Sequence, residues 1–537
     1  MHRRPKPSVR ITAEGRDPEH PHVEEAEPQR RFALGRSRET AGGHRAREGA
    51  LFPLEIGPWK KHVPVPAASA IIHASAPTPP TEDSSKAMFT GTTPKPSRSF
   101  QSCSSRSRAG VAPLFVVAVL MAFGATVNAN AQVEPGDSIT RSNVEKIDGL
   151  VSPGVRWAVE NGMDMKIVPY KKIHMPKAYA EATEKYGGQA ELHEDGSVEN
   201  WVAGRPFPVM DENDPQLAPK LMHNFEKTFY WTDDLNVHLP DADTGNFYID
   251  AKGNRKYNVE KHFIVDWSRN LAFQGRLKHE PIHEFTDNRD KAYRKQGFYP
   301  LIEPFDLKSV GVISYRYLSP ERQDDTWLYV PVIRRVRRMS SAQRSDALFG
   351  QDIDLDSFGG YAGQIPWFEW KFIGTKQMLS SFHGENLPPK PCERDGGMTY
   401  CEAWEMRPKT YIVEGTAKLP NYAYSKRLIY IDSEAFLIPF ADMFDPNGEL
   451  WKTVLLNIRT SKKPNPAAAM EYPEERMFVY GFSVLDMQLM HGTRAAIPGM
   501  QFPDEAAWHI DIGFDSEYAV PESWWTIAGL LSGGHAK

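Results

Sequence analysis

The sequence predicts an α+β protein in which a few N-terminal helices cover one face of a large, curved antiparallel β-sheet. Three observations lead there. From about residue 132 to residue 228, apolar residues recur at helical spacing between capping signals. Beyond residue 228, runs of β-branched and aromatic residues are separated by short turns, the pattern of a β-meander. No long helix separates successive strands, which argues against a doubly wound parallel sheet. If such a sheet curls, its concave face encloses a cavity.

The chain begins with a stretch that predicts no fold. Residues 1–105 are rich in Arg, Pro, His and Ser and carry few periodic apolar positions, too few to offset chain entropy. Residues 106–131 read as a signal peptide. Arg106 and Arg108 precede an uncharged run from Ala109 to Val127, and Ala129-Asn130-Ala131 supplies an A-x-A cleavage pattern. An uncleaved anchor would need roughly 20 apolar residues, but the strongly apolar part is only Leu114 to Phe123. A buried core helix is the third reading. Cys103 precedes the apolar run, so a lipoprotein is not expected. A signal peptide belongs at an N-terminus, so the true start is expected downstream, with Met88 as a candidate. Residues 132–537 are then one exported, periplasmic α+β domain.

Within that domain, Ser142-x-x-Glu145 resembles a capping box for a helix carrying Val144 and Ile147. Ser152-Pro153 is an N-cap/N1 pair for a helix ending near Asn161-Gly162. Pro176 opens another, stopped by Gly187-Gly188, and a hairpin turns about Asp195-Gly196. Asp214-Pro215 starts a helix with Leu217, Leu221, Met222 and Phe225 on one face. Strands follow, with turns at Lys252-Gly253-Asn254, Ser433-Glu434 and Asp445-Pro446-Asn447-Gly448.

Two cysteines lie in this part, Cys392 and Cys401, flanking the turn Asp395-Gly396-Gly397. In an oxidising compartment such a pair most simply forms a disulfide, and the loop offers too few ligands for a metal. The formal net charge of −5 on 537 residues gives no reason to expect a nucleic-acid partner.

Three motifs invite chemistry. His279-Glu280-Pro281-Ile282-His283 matches H-E-x-x-H, but Pro281 breaks the helix that would aim both histidines at one zinc; two surface histidines is the preferred reading. Asp352, Asp354 and Asp356 alternate like calcium-loop ligands, yet Ser357 and Gly363 stand where an EF-hand needs Gly and Glu. A solvated acidic loop is preferred. Arg334-Arg335-Val336-Arg337-Arg338 either meets that acidic loop, binds an anionic head group, or forms a solvated face, which is the preferred reading. No phosphate loop, dinucleotide fingerprint or nucleophile elbow occurs, so no catalytic residue, cofactor or metal is assigned.

The strings EKYGGQAEL, NWVAGRPFP and NDPQ, then WLYVPVIRRVRR, FGQDIDLDSFGGYAGQIPWFEWKFIG and YSKRLIYIDSEAFLIPFADMFDPNGELWK, together resemble domain-of-unknown-function family 1329, the outer-membrane lipoprotein-sorting-like envelope proteins. The resemblance covers the chain from about Ile139 to its end. It implies a lipoprotein-carrier-like half-barrel, an apolar cavity, and association with exporters of the resistance–nodulation–division type or with an outer-membrane protein. The N-terminal extension and the Cys392/Cys401 loop depart from the family pattern.

The expected function is a periplasmic carrier or adaptor for a hydrophobic or amphipathic molecule, a lipid or lipoprotein. Trp327, Tyr329, Trp367 and Trp370, on or beside expected strands, are the candidate cavity-lining residues, with ordinary core packing as the plainer reading for each. A docking partner without a small ligand is the second hypothesis. A metal-dependent hydrolase using His279 and His283 is the third.

Overall fold

Apolar side chains bury both faces of the central strands of one large sheet, whose strands toward the ends are partly exposed, and the outer face of a second, smaller one. The structure is a computed structural model and describes residues 133–532 except 229–230, 341–343, 467, 469, 517 and 520. The expected extension (1–105) and signal peptide (106–131) lie outside the described residues.

In chain order the first strands are β1 (Ser138–Ile139), β2 (Met165–Val168), β3 (Glu191–Leu192), β4 (Val198–Glu199), β5 (Asp234–His238), β6 (Asp241–Ile249), β7 (Arg255–Val265) and β8 (Trp267–Ala272). Next come β9 (Gln274–Arg276), β10 (His283–Glu284), β11 (Ala292–Phe298), β12 (Leu301–Glu303), β13 (Gly311–Tyr317), β14 (Asp325–Val330) and β15 (Arg335–Arg338). The rest are β16 (Phe368–Ser380), β17 (Ala403–Ala417), β18 (Lys426–Asp432), β19 (Phe440–Phe444), β20 (Leu450–Ser461), β21 (Arg476–Asp486), β22 (His491–Ala496) and β23 (Trp508–Ile510). Among the described residues α-helices are few: α1 (Pro153–Glu160), α2 (Lys177–Tyr186), α3 (Leu217–Lys227) and α4 (Ile527–Leu531).

The large sheet has the order β1-β2-β17-β18-β19-β20-β21-β22-β6-β7-β12, with β16 on the other edge of β17. The expected meander is present from β16 to β22. Its continuation is non-local: β22 pairs with β6, about 250 residues earlier in the chain, placing His491 opposite Asn246. The small sheet runs β15-β14-β13-β11-β8-β5-β23. The chain crosses between the sheets at Leu239-Pro240, after β5, and at Asp266, before β8. Register shifts at Thr244/Gly245, Phe372/Gly374 and Asn457/Ile458 are bulges that increase bend and twist. At the first of these, a Cβ on Gly245 would lie 2.0 Å from the Asn258 carbonyl oxygen, so only glycine fits.

The helices do not form the expected cover over one face, because the two that pack most fully are on opposite faces of the large sheet. Val155, Ala158 and Val159 of α1 pack with Ile412, Tyr430, Phe440 and Leu455. Leu217, Ala218, Leu221 and Met222 of α3 pack with Tyr411, Val413, Ile429 and Ile431, the alternate residues of the same strands. The protein is mostly β-sheet with few helices. The hairpin expected about Asp195-Gly196 is β3–β4. The first expected helix is a 3₁₀ segment, Arg141–Ile147, capped by Thr140 and not by Ser142. The disulfide Cys392–Cys401 is formed, with Cα atoms 4.9 Å apart.

At α1, Ser152 Oγ accepts from the Val155 N–H (3.2 Å) and donates to Asp442 (3.1 Å), while Asp442 also accepts from the Gly154 N–H (3.2 Å) and Thr453 Oγ (2.8 Å). Burial pushes the Asp442 carboxyl up to about 6 despite these donors. The cap thus ties α1 to β19 and β20. Ser152→Ala removes one cap acceptor and one carboxylate donor, and a loss of about 1–2 kcal/mol is expected in urea unfolding followed by circular dichroism.

Candidate functional site

The inner faces of the two sheets meet around a cavity of about 380 Å³. Its large-sheet wall is one transverse row. Leu456 pairs with Phe482, Phe482 with Ala495, Ala495 with Ala242, and Ala242 with Phe263, across β20, β21, β22, β6 and β7. Directly paired residues in antiparallel strands point to the same face, and all five line the cavity. Val265, Val479 and Ile497 extend this apolar wall.

The small-sheet wall is graded along the strands. Phe298 pairs with Val312, giving an apolar end. Two residues along, Asn270, Gln296, Ser314 and Thr326 are paired in sequence across β8, β11, β13 and β14. Two residues further, Arg294 pairs with Arg316. Here Arg316 bonds Asp324 (2.7 Å) and Glu226 of α3 (3.1 Å), and also donates to the carbonyls of Ala362 and Gly363. Burial alone would push the Glu226 carboxyl up, but Lys227 and Arg316 outweigh it and hold the group well below the usual carboxylate range.

The third wall is the segment 348–363, which contributes Leu348, Phe349, Leu355, Phe358 and Tyr361 to the cavity. The alternating aspartates sit inside it, and they correct the expectation of a solvated acidic loop. Asp352, Asp354 and Asp356 are 5%, 1% and 0% exposed. Asp352 meets His491 Nδ1 (2.8 Å) and Thr493 Oγ (2.8 Å) on β22. Asp354 accepts from Ser357 Oγ (2.6 Å) and Tyr424 (2.7 Å), with Arg427 of β18 at 3.7 Å. Asp356 accepts from Arg344 (2.6 Å) and Tyr422 (2.8 Å). Each carboxylate therefore serves a different set of donors, and the three do not converge on one centre. The hydrogen bond that its Nδ1–H donates to Asp352 raises the His491 imidazole above its ordinary value, against some burial.

The basic run does not meet these aspartates. Arg335 and Arg337 are exposed on β15, and Arg338 pairs with Asp325. In the H-E-x-x-H stretch no helix forms. His279 Nε2 lies 2.7 Å from the Asp511 carbonyl, whereas His283 meets the Tyr186 hydroxyl (3.1 Å) and the Arg276 carbonyl (3.2 Å). The two rings are half-buried and engaged separately, so they are not brought to a shared metal position.

None of the four expected aromatics is among the cavity-lining residues. Trp327 pairs with Ile313 and Tyr329 with Gly311, which alternate with the cavity-facing Val312 and Ser314. Their face packs against Trp524, Trp525 and Leu530 near the C-terminus. Trp367 and Trp370 belong to the α3 cluster, where Trp370 stacks on Phe368 and donates to the Ile365 carbonyl (2.7 Å). The structure thus places all four in ordinary packing. The residues that do line the cavity were hidden in strands whose inward face periodicity alone could not choose.

A family model described as a protein of unknown function (DUF1329) matches residues 138–508. The chain belongs to the DUF1329 family. All three cavity walls fall within the matched residues, and Trp524, Trp525 and Leu530, packed on the outer face of the small sheet, follow them. No curated protein matches the chain. Among solved structures, it is similar to a domain from Vibrio parahaemolyticus assigned provisionally to outer membrane lipoprotein sorting. That pair shares 12% identity, covers 59% of this chain and 100% of the other, and has a TM-score of 0.38. A DUF1329 family protein from Desulfovibrio piger gives 14% identity, 58% and 96% coverage and a TM-score of 0.37. A LolA superfamily protein from Nitrosomonas europaea gives 11%, 52% and 90%, and 0.29. Overlaps of this size leave the family match as the finding that assigns the chain.

Removing one buried carboxylate from the 348–363 segment leaves its cation uncompensated. Asp354→Ala strands Arg427, which is 0% exposed, and a loss of about 3–5 kcal/mol is expected in guanidinium unfolding. A loss below about 1 kcal/mol would mean the segment is held by something else.

Proposed function

We propose that this DUF1329 protein is an envelope carrier that holds a hydrophobic or amphipathic molecule, a lipid or the acyl part of a lipoprotein, in the cavity between its sheets. The observation that carries the reading is the five-strand apolar row facing open space instead of packed side chains. Natural cores close to crystal-like density, so an apolar wall left facing a cavity of this volume is suited to a ligand. Each methylene moved from water onto such a wall contributes about 0.8 kcal/mol, before the cost of immobilising the ligand.

Export and periplasmic location belong to the same proposal. They are supported by the signal-like residues 106–131 and by the disulfide, which persists in oxidising compartments. Among the described residues no helix is long and apolar enough to cross a membrane. A carrier needs a donor and an acceptor. The family resemblance points to an exporter of the resistance–nodulation–division type or an outer-membrane component as the partner in that exchange.

Ala495 stands at the centre of the apolar row and is 4% exposed. Ala495→Trp would fill the cavity from its wall. Titration with the fluorescent probe phenylnaphthylamine should give saturable binding to the native protein, roughly tenfold weaker in the variant, with the thermal midpoint within a few degrees of native. Equal affinity in both proteins would place the probe elsewhere and contradict the assignment.

A further inference from the structure

The small-sheet wall carries information about the ligand that the apolar row does not. Asn270 on β8 and Gln296 on β11 are directly paired, both line the cavity, and both are half-buried. Neither side-chain amide has a hydrogen-bond partner among the described residues. Their neighbours in the row are already satisfied, since Ser314 Oγ and Thr326 Oγ bond each other at 2.9 Å. On the adjoining row, Arg316 is occupied by Asp324, Glu226 and two backbone carbonyls. Two neutral amides with donors and acceptors to offer therefore face an apolar wall across the cavity, beside a charged cluster whose Arg316 is fully engaged.

A hydrocarbon filling this space would strip water from both amides and return nothing, and an unsatisfied buried polar group is costly. An ionic head group would meet the opposite problem, because Arg316 and its carboxylates neutralise one another. Resting on the carrier reading above, we propose that the cavity selects a neutral, oxygen-bearing amphipath, an alcohol, ester or amide. Its head bonds Asn270 and Gln296, and its hydrocarbon lies on the Leu456–Phe482–Ala495–Ala242–Phe263 row. The ligand is then held in one orientation, the head toward Arg294 and Arg316 and the tail toward Phe298 and Val312.

The test compares three probes with one skeleton, phenylbutanol, butylbenzene and phenylbutanoate, each titrated against phenylnaphthylamine bound to the full chain. The double variant Asn270→Leu/Gln296→Leu keeps side-chain size and removes both amides; the single variant Gln296→Met serves if the double variant does not fold. Phenylbutanol affinity is expected to fall roughly tenfold in the double variant, and about threefold in the single one, while butylbenzene affinity holds or rises. If phenylbutanol and butylbenzene respond alike to the substitutions, the inference is wrong and the carrier reading stands. If phenylbutanoate binds native protein more tightly than phenylbutanol, Arg294 reads an anion and the neutral-head assignment is overturned. If none of the probes displaces phenylnaphthylamine from native protein, this inference is wrong, while the carrier reading, which is tested by phenylnaphthylamine binding itself, stands.

Discussion

The three buried aspartates of the segment 348–363 are the constraint on which the arrangement of the cavity depends. Buried carboxylates are tolerated only when cations and hydrogen-bond donors meet them. Here the donors come from the large sheet and the loop that leads into it: His491 and Thr493 on β22 for Asp352, Arg427 on β18 and Tyr424 just before it for Asp354, and Tyr422 of the same loop for Asp356. Arg344 binds both Asp356 and Asp324, and Asp324 in turn binds Arg316 of the small sheet. A chain of ion pairs and hydrogen bonds, joined at the Asp356 N–H to Asp354 bond, therefore runs from Arg427 of the large sheet, through the segment, to Arg316 of the small sheet. Leu355, between two of the aspartates, and Leu348, Phe349, Phe358 and Tyr361 around them form the third wall of the cavity.

That linkage explains how two sheets can stand apart without collapsing on each other. Hydrophobic burial alone is non-directional and would draw the apolar row onto any apolar surface opposite it. The small sheet instead presents Asn270, Gln296, Ser314, Arg294 and Arg316 across the gap, with Leu235 of β5 beside Asn270 and Phe298 and Val312 toward one end. Its outer face takes the close packing, with Trp524, Trp525 and Leu530 against Leu271, Tyr299 and Ile313. A sheet buried on one side by aromatics and graded on the other suits a wall that must remain open.

The sequence exposed the fold class better than it exposed the site. Capping residues named α1 correctly, because Ser152-Pro153 acts through local geometry. The strand-rich region and the disulfide were equally local in origin. The closure of β22 onto β6, and the chain's crossing between sheets at Pro240 and Asp266, depend on pairings between distant residues that no local pattern encodes. The aromatic candidates lie away from the cavity for a related reason. Trp327 and Tyr329 mark a strand convincingly, but a one-residue change of phase decides which face they occupy, and they took the outer one. Asp352, Asp354 and Asp356 looked solvated because acidic residues usually are; their partners Arg344, Arg427 and His491 are spread over more than a hundred residues of chain.

Native mass spectrometry of the protein purified gently from its own cell envelope, followed by solvent extraction, tests the central claim most directly. The account predicts a mass excess from one hydrophobic or amphipathic molecule per chain, recovered in the extract. A bare chain mass, together with no uptake of added lipid, would contradict the carrier assignment.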